Sequence, residues 1–238
     1  MRLDKLLSNM GVGSRKEVKA LLKKKQVTVN GIVSKDSGEK IDPNKDEIAV
    51  NGEIIRYEQY IYLMMNKAPG YISATTDKRE KTVIDLLGED VQHFKPFPVG
   101  RLDKDTEGLL LLTNDGELAH ELVSPKKDIG KTYFARINGK VTVDDTAVFR
   151  EGVVLEDGYE AKPGELTILQ SDAISEIELT ITEGKFHQVK RMFEAVGKRV
   201  IYLKRLRMGE LQLDPDLKLG AYRPLTESEL AYCKSLKK

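Results

Sequence analysis

Residues 97–123 read FPVGRLDKDTEGLLLLTNDGELAHELV, and the order of chemical types in this stretch decides the architecture. FPV and GLLLLT are apolar segments of strand length, far short of the roughly 18 uninterrupted apolar residues a membrane span needs. Between them runs a polar loop holding Arg101, Asp103, Asp105 and Glu107, displayed at the edge of a rigid sheet, where sites are commonly built. Asp115-Gly116 then turns the chain into GELAHELV, a helix.

Outward from this stretch, strands and helices alternate with short loops. Upstream, IYLMMN from Ile61 is a buried strand, Ala68-Pro69-Gly70 a turn, YISATT strand-like, and Thr82–Leu87 a short helix. Downstream come strand KTYFARI, a helix near Asp144–Arg150, strand EIELTIT, helix HQVKRMFEAV, strand VIYLKRLRMG and a closing helix, TESELAYCKSL, capped by Thr226. Hairpin-like neighbours are frequent. The pattern predicts an α+β domain with a mixed, mostly antiparallel sheet flanked by helices, rather than a doubly wound parallel one.

The first sixty residues form a unit of their own. Leu3, Leu6 and Leu7 begin a helix that Asn9-Met10-Gly11 ends; Ser14 with Glu17 is a capping box for a second. VTVNG closes on Asn30-Gly31, a strong hairpin signal, and EIAVNG and EII complete the module. Arg56–Tyr60 reads as a linker, so the expected division is 1–58 and 59–238.

The chain has 238 residues, 40% of them hydrophobic and 32% charged, which is ample for packed cores and excludes a disordered chain. The opening MRLDKLLSNMG has no apolar signal core, and the single cysteine, Cys233, has no internal disulfide partner. A cytoplasmic protein with no membrane partner and no metal is the expectation. Net charge is only +1, yet residues 1–25 and 182–207 each hold eight Lys/Arg against two carboxylates. Two islands of +6 on an acidic remainder point to localised polyanion binding.

No phosphate loop, dinucleotide loop, HExxH or GxSxG occurs, and Cys233 has no His nearby in sequence. Asp103 and Asp105 would make only a weak metal pair, because no third carboxylate supports it.

GRLDKDTEGLLLLTNDG closely resembles the signature of the RsuA-type branch of the RluA/RsuA pseudouridine synthases. KTYFARI resembles that family's tyrosine motif and EGKFHQVKRMF its basic motif, in the same order. RLDKLLSNMGVGSRKEVKALLKKKQVTVNG is similar to the S-four RNA-binding domain carried in front. The resemblance implies an RNA isomerase without a cofactor, most like the small-subunit (16S) rRNA enzyme, acting as a monomer on rRNA within an assembling ribonucleoprotein. It also implies the site residues. Asp103 is the nucleophilic carboxylate, and Lys190, where the sister branch has Arg, is its ion-pair partner. Tyr133 stacks on the flipped uracil and serves in proton transfer. Arg101 reaches into the RNA stack. Arg2, Lys5, Arg15, Lys16, Lys19 and Lys23 in front, and Lys185, His187 and Arg191 behind, form the expected RNA-binding set, with a hydrogen-bonded structural role as the other reading of His187. Two other functions fit parts of the pattern: a large-subunit rRNA enzyme of the same branch, and a non-catalytic RNA-binding assembly factor.

Overall fold

A computed structural model describes residues 1–237. These fall into two compact units: Met1–Ile61 with Leu87–Pro96, and Tyr62–Leu86 with the chain from Phe97 onward.

In the front unit, α1 (Leu3–Asn9) and α2 (Arg15–Lys23) precede a four-stranded sheet of β1 (Val27–Val29), β2 (Ile32–Val33), β3 (Ile48–Val50) and β4 (Glu53–Ile54), ordered β2-β1-β3-β4. Ser14 caps α2 reciprocally with Glu17, as the sequence pattern requires. Leu3, Leu6, Leu7, Val18, Leu22, Val27 and Ile48 form its core. The segment Leu87–Pro96 sits within this unit, although the sequence division at 58 leaves it with the second domain. Gly11, at φ +75°, leaves room for the His93 ring, which a side chain there would meet at 2.8 Å. That packing is invisible to a reading of local pattern.

In the second unit, β5 (Tyr62–Lys67) leads to a 3-10 turn at Val83–Leu86; the intervening α3 (Glu89–Gln92) belongs to the front unit. Then follow β6 (Phe97–Val99), β7 (Glu107–Thr113), α4 (Gly116–Val123), β8 (Lys131–Asn138) and α5 (Val143–Glu151). β9 (Glu165–Gln170), β10 (Ile174–Ile181), α6 (Gln188–Ala195), β11 (Arg199–Met208), β12 (Leu211–Gln212), β13 (Tyr222–Pro224) and α7 (Glu227–Ser235) complete it. Among the described residues the strands make one nine-stranded sheet, its spine ordered β13-β5-β7-β11-β8-β10-β9. Every pairing is antiparallel except β7 with β11. That parallel contact runs through Gly108, at φ +102°: a Cβ there would fall 2.2 Å from the Arg205 carbonyl oxygen, so only glycine lets the strands meet.

YISATT is not a strand. Only Ile72 bridges, to Thr82, and the chain bends at Ser73 because its Oγ accepts from the Leu102 N–H at 3.0 Å and is tied to the loop before β7. β9, which the sequence reading lacks, is an edge strand whose residues are mostly exposed.

Candidate active site

The loop between β6 and β7 carries Asp103, and its shape is set from beneath by Lys67 at the end of β5. Lys67 is fully buried, and its ammonium donates to the carbonyl oxygens of Thr106 at 2.8 Å, Asp103 at 3.0 Å, Ala68 at 3.1 Å and Lys104 at 3.3 Å. Burial pushes this amine down to about 8, against the pull of Asp105, Asp103 and Glu107. The Gly70 N–H on the Lys104 carbonyl at 2.7 Å and the Thr106 N–H on the Asp103 carbonyl at 3.1 Å close the turn. The Asp103 carboxylate is thus held at a fixed place on the sheet edge by main-chain bonds that leave its oxygens free for other work.

Its partner arrives on α6. Val189, Met192 and Phe193 bury the inner face of that helix, which leaves Lys190 at the rim. The Lys190 Nζ stands 3.1 Å from Asp103 Oδ2 and 2.7 Å from Asp105 Oδ1. Burial lowers the Lys190 amine, but hydrogen bonds to Asp105 and Asp103 outweigh it and leave the group above its ordinary value. Asp105 is likewise opposed by burial, and the Lys190 hydrogen bond and charge bring it below the usual carboxylate range. Lys190 is therefore a shared cation between two carboxylates, and the second is one that sequence reasoning weighed only as a metal ligand.

Arg101, Asp103, Thr106, Tyr133, Lys185 and His187 line one open cleft. Tyr133 lies on β8, 8% exposed, opposite Leu179 of β10 and Arg205 of β11. His187, at φ +49°, brings Nε2 to 3.7 Å from Asp103 Oδ1. Thr106 is 1% exposed, and its Oγ1 is buried with no hydrogen-bond partner among the described residues.

Other expected residues sit elsewhere or are engaged. Arg191 pairs with Asp157 and does not line the cleft. Arg2 makes a two-point bond to the buried Asp4, with Nε at 3.0 Å and Nη2 at 2.9 Å, which commits its guanidinium to the fold. Lys5, Arg15, Lys16, Lys19 and Lys23 are exposed along α1 and α2. Lys67 and Thr106 were missed. Lys67 ends an apolar strand and bonds only main-chain carbonyls, which leave no trace in side-chain identity.

Asp103, Tyr133 and Arg101 thus share one cleft, with Lys190 paired to Asp103 and Asp105 beside it. The model of the RNA pseudouridylate synthase family matches residues 61–195, and the S4 domain model matches residues 1–48. The chain belongs to the RNA pseudouridine synthase family, whose members are isomerases. It is 54% identical over 231 residues to YtzG, an uncharacterized RNA pseudouridine synthase of Bacillus subtilis, covering 97% of both chains. It is 38% identical to the ribosomal small subunit pseudouridine synthase A of Escherichia coli, covering 97% of this chain and 99% of that one. A crystal structure of a pseudouridylate synthase superposes with a TM-score of 0.69 at 35% identity, over 98% of this chain and 99% of its own.

Proposed function

We propose that the protein converts one uridine of small-subunit 16S ribosomal RNA to pseudouridine, with Asp103 as the reacting carboxylate. The observation that carries this reading is the Asp103–Lys190 pair at 3.1 Å in a cleft shared with Tyr133 and Arg101. The small-subunit assignment is supported by full-length similarity to relatives bearing that name.

The reaction moves a bond within one nucleoside. The bond from the sugar to N1 breaks, the uracil turns, and a bond from the same sugar carbon to C5 forms; C5 releases its proton and N1 holds one. Atoms and electrons balance without a donor. Asp103 supplies the nucleophile, and Lys190 keeps a positive charge beside it so that the carboxylate is not left alone in a partly dry cleft. Tyr133, fixed on β8, holds the turning base and handles the proton exchange. Arg101 occupies the gap left when the uridine leaves its stack. The exposed cations of α1 and α2 hold the flanking RNA by phosphate contacts.

Mapping pseudouridines in rRNA from cells with and without the gene tests this. Loss of one small-subunit site is the expected result. Loss of a large-subunit site instead, or of none, overturns the assignment.

A further inference from the structure

Phe186 is 74% exposed, yet it is not a loose surface side chain. Its ring lies on that of His187, with centroids 3.8 Å apart and planes 18° apart. His187 lines the cleft and approaches Asp103 to 3.7 Å. One face of Phe186 is covered by the imidazole, and the other faces water.

The backbone holds this arrangement at a cost. His187 adopts a left-handed conformation that non-glycine residues rarely take, and such strain clusters at functional sites. The turn that presents the two rings is locked from both ends. The Gln188 side chain, 3% exposed, accepts from the Lys185 N–H at 2.8 Å and donates to Glu183 at 2.8 Å, while the Gln188 N–H donates to the Lys185 carbonyl at 3.1 Å. A fold that needed only to end a loop would turn the phenylalanine inward, where burial of such a ring is worth a few kcal/mol. Here the loop is rigid and the ring points out. Lys185, its neighbour in sequence, and Arg101 are exposed and line the cleft that His187 also lines.

A rigid aromatic face among cations fits a flat ring on a phosphate chain. We propose that Phe186 and His187 form a nucleobase subsite, a shelf on which the base next to the target uridine stacks while that uridine occupies the Asp103 cleft. This rests on the reading of the cleft as the uridine site. The shelf adjoins the cleft through His187, whose Nε2 stands 3.7 Å from Asp103 Oδ1, so a nucleotide beside the target uridine lies within its reach. Stacking is tolerant of base identity, so the shelf stabilises the splayed strand and leaves sequence choice to other contacts.

The chain has no tryptophan, so Phe186→Trp places a single fluorophore on the shelf. The probe is a uridine-containing single-stranded RNA oligonucleotide added to the full-length protein, with Val143→Trp, at a position 78% exposed, as a control. Emission from Phe186→Trp is expected to fall on RNA binding, and that from Val143→Trp to stay level. Phe186→Leu, apolar but without a π face, is expected to bind the same RNA about tenfold more weakly, with an unchanged dependence on salt. Unquenched emission from Phe186→Trp with RNA bound, or wild-type affinity in Phe186→Leu, overturns the proposal. Release of tritium from 5-tritiated 16S rRNA is measured separately. Quenching without tritium release overturns the 16S reading and leaves the shelf standing.

Discussion

Lys190 neutralises two carboxylates at once, so its loss is felt twice. Lys190→Met leaves Asp103 and Asp105 facing one another without a cation; both are partly solvated, so the expected loss is about 1–3 kcal/mol in urea unfolding, with single-turnover activity sharply reduced. Lys190→Arg keeps the charge and is much milder. Adding Asp105→Asn to Lys190→Met recovers stability, because one of the two repelling charges is gone; additive effects of the two substitutions would show that Asp105 does not share the cation. Lys67 acts one layer below. Lys67→Met takes the ammonium from four carbonyls; those of Asp103 and Lys104 keep their bonds from the Thr106 and Gly70 N–H groups, so the cost falls mainly on the buried Thr106 carbonyl, at about 1–3 kcal/mol, and activity falls with the loop that carries Asp103. The native amine titrates near 8 and an unfolded one near 10.5, so between those values the unfolded chain binds more protons and this residue's contribution to stability rises with pH. Wild type minus Lys67→Met, followed by chemical unfolding from pH 7 to 10.5, reads that rise. A flat difference means that the amine is not desolvated. The pairing of Lys190 with Asp103, and the place of Tyr133 in the same cleft as Asp103, were legible in the sequence because these motifs carry side-chain identity. Lys67 was not, since its partners are backbone oxygens, and neither were the commitments of Arg2 to Asp4 and of Arg191 to Asp157, which depend on the folded neighbours.

Helix α7 is fastened to β13 by one arginine. Arg223 donates to Asp214 at 2.6 Å and to both oxygens of Glu229 at 2.8 and 2.9 Å, and this hydrogen bonding pulls the Glu229 carboxyl down to about 2. A depressed carboxylate contributes stability that is present above its unfolded value of 4.5 and is lost as pH falls toward 2. Arg223→Met is expected to lower stability at pH 7 by about 2 kcal/mol and to flatten the acid limb between pH 4.5 and 2. An unchanged acid limb means that Glu229 draws its low value from its helix cap to Thr226 alone. Most elements of the fold were readable at this scale because they bury alternating or helically spaced residues. β9 escaped because it is an edge strand with one buried residue in six, and YISATT misled because its β-rich composition is overridden by the bond of Ser73 to Leu102.

The two units divide the work at the scale of the whole chain. The nine-stranded sheet with α4 to α7 has its own core, so deleting residues 1–58 is expected to leave it folded, while Leu87–Pro96 loses the surface it packs on and becomes protease-sensitive. RNA affinity is expected to fall, and the slope of log K against log salt to shrink by up to about 3.5, at about 0.7 per phosphate contact on a single strand, since Lys5, Arg15, Lys16, Lys19 and Lys23 leave together. An unchanged slope would reduce that basic face to a solvated surface. The two basic islands were visible in the sequence. The return of Leu87–Pro96 to the front unit was not, because it depends on a pairing of Gly11 with His93 across some eighty residues.

The most direct test of the central claim uses 16S rRNA transcribed in vitro, which carries no pseudouridine, both free and assembled with small-subunit ribosomal proteins, incubated with wild-type protein and with Asp103→Asn and mapped by carbodiimide-dependent reverse-transcription stops. Asparagine keeps the shape of Asp103 and removes the nucleophile, so RNA affinity should stay within about tenfold, or 1.4 kcal/mol. The account predicts one new stop with the wild type and none with Asp103→Asn; a stop of equal strength in both, or none in either, contradicts it.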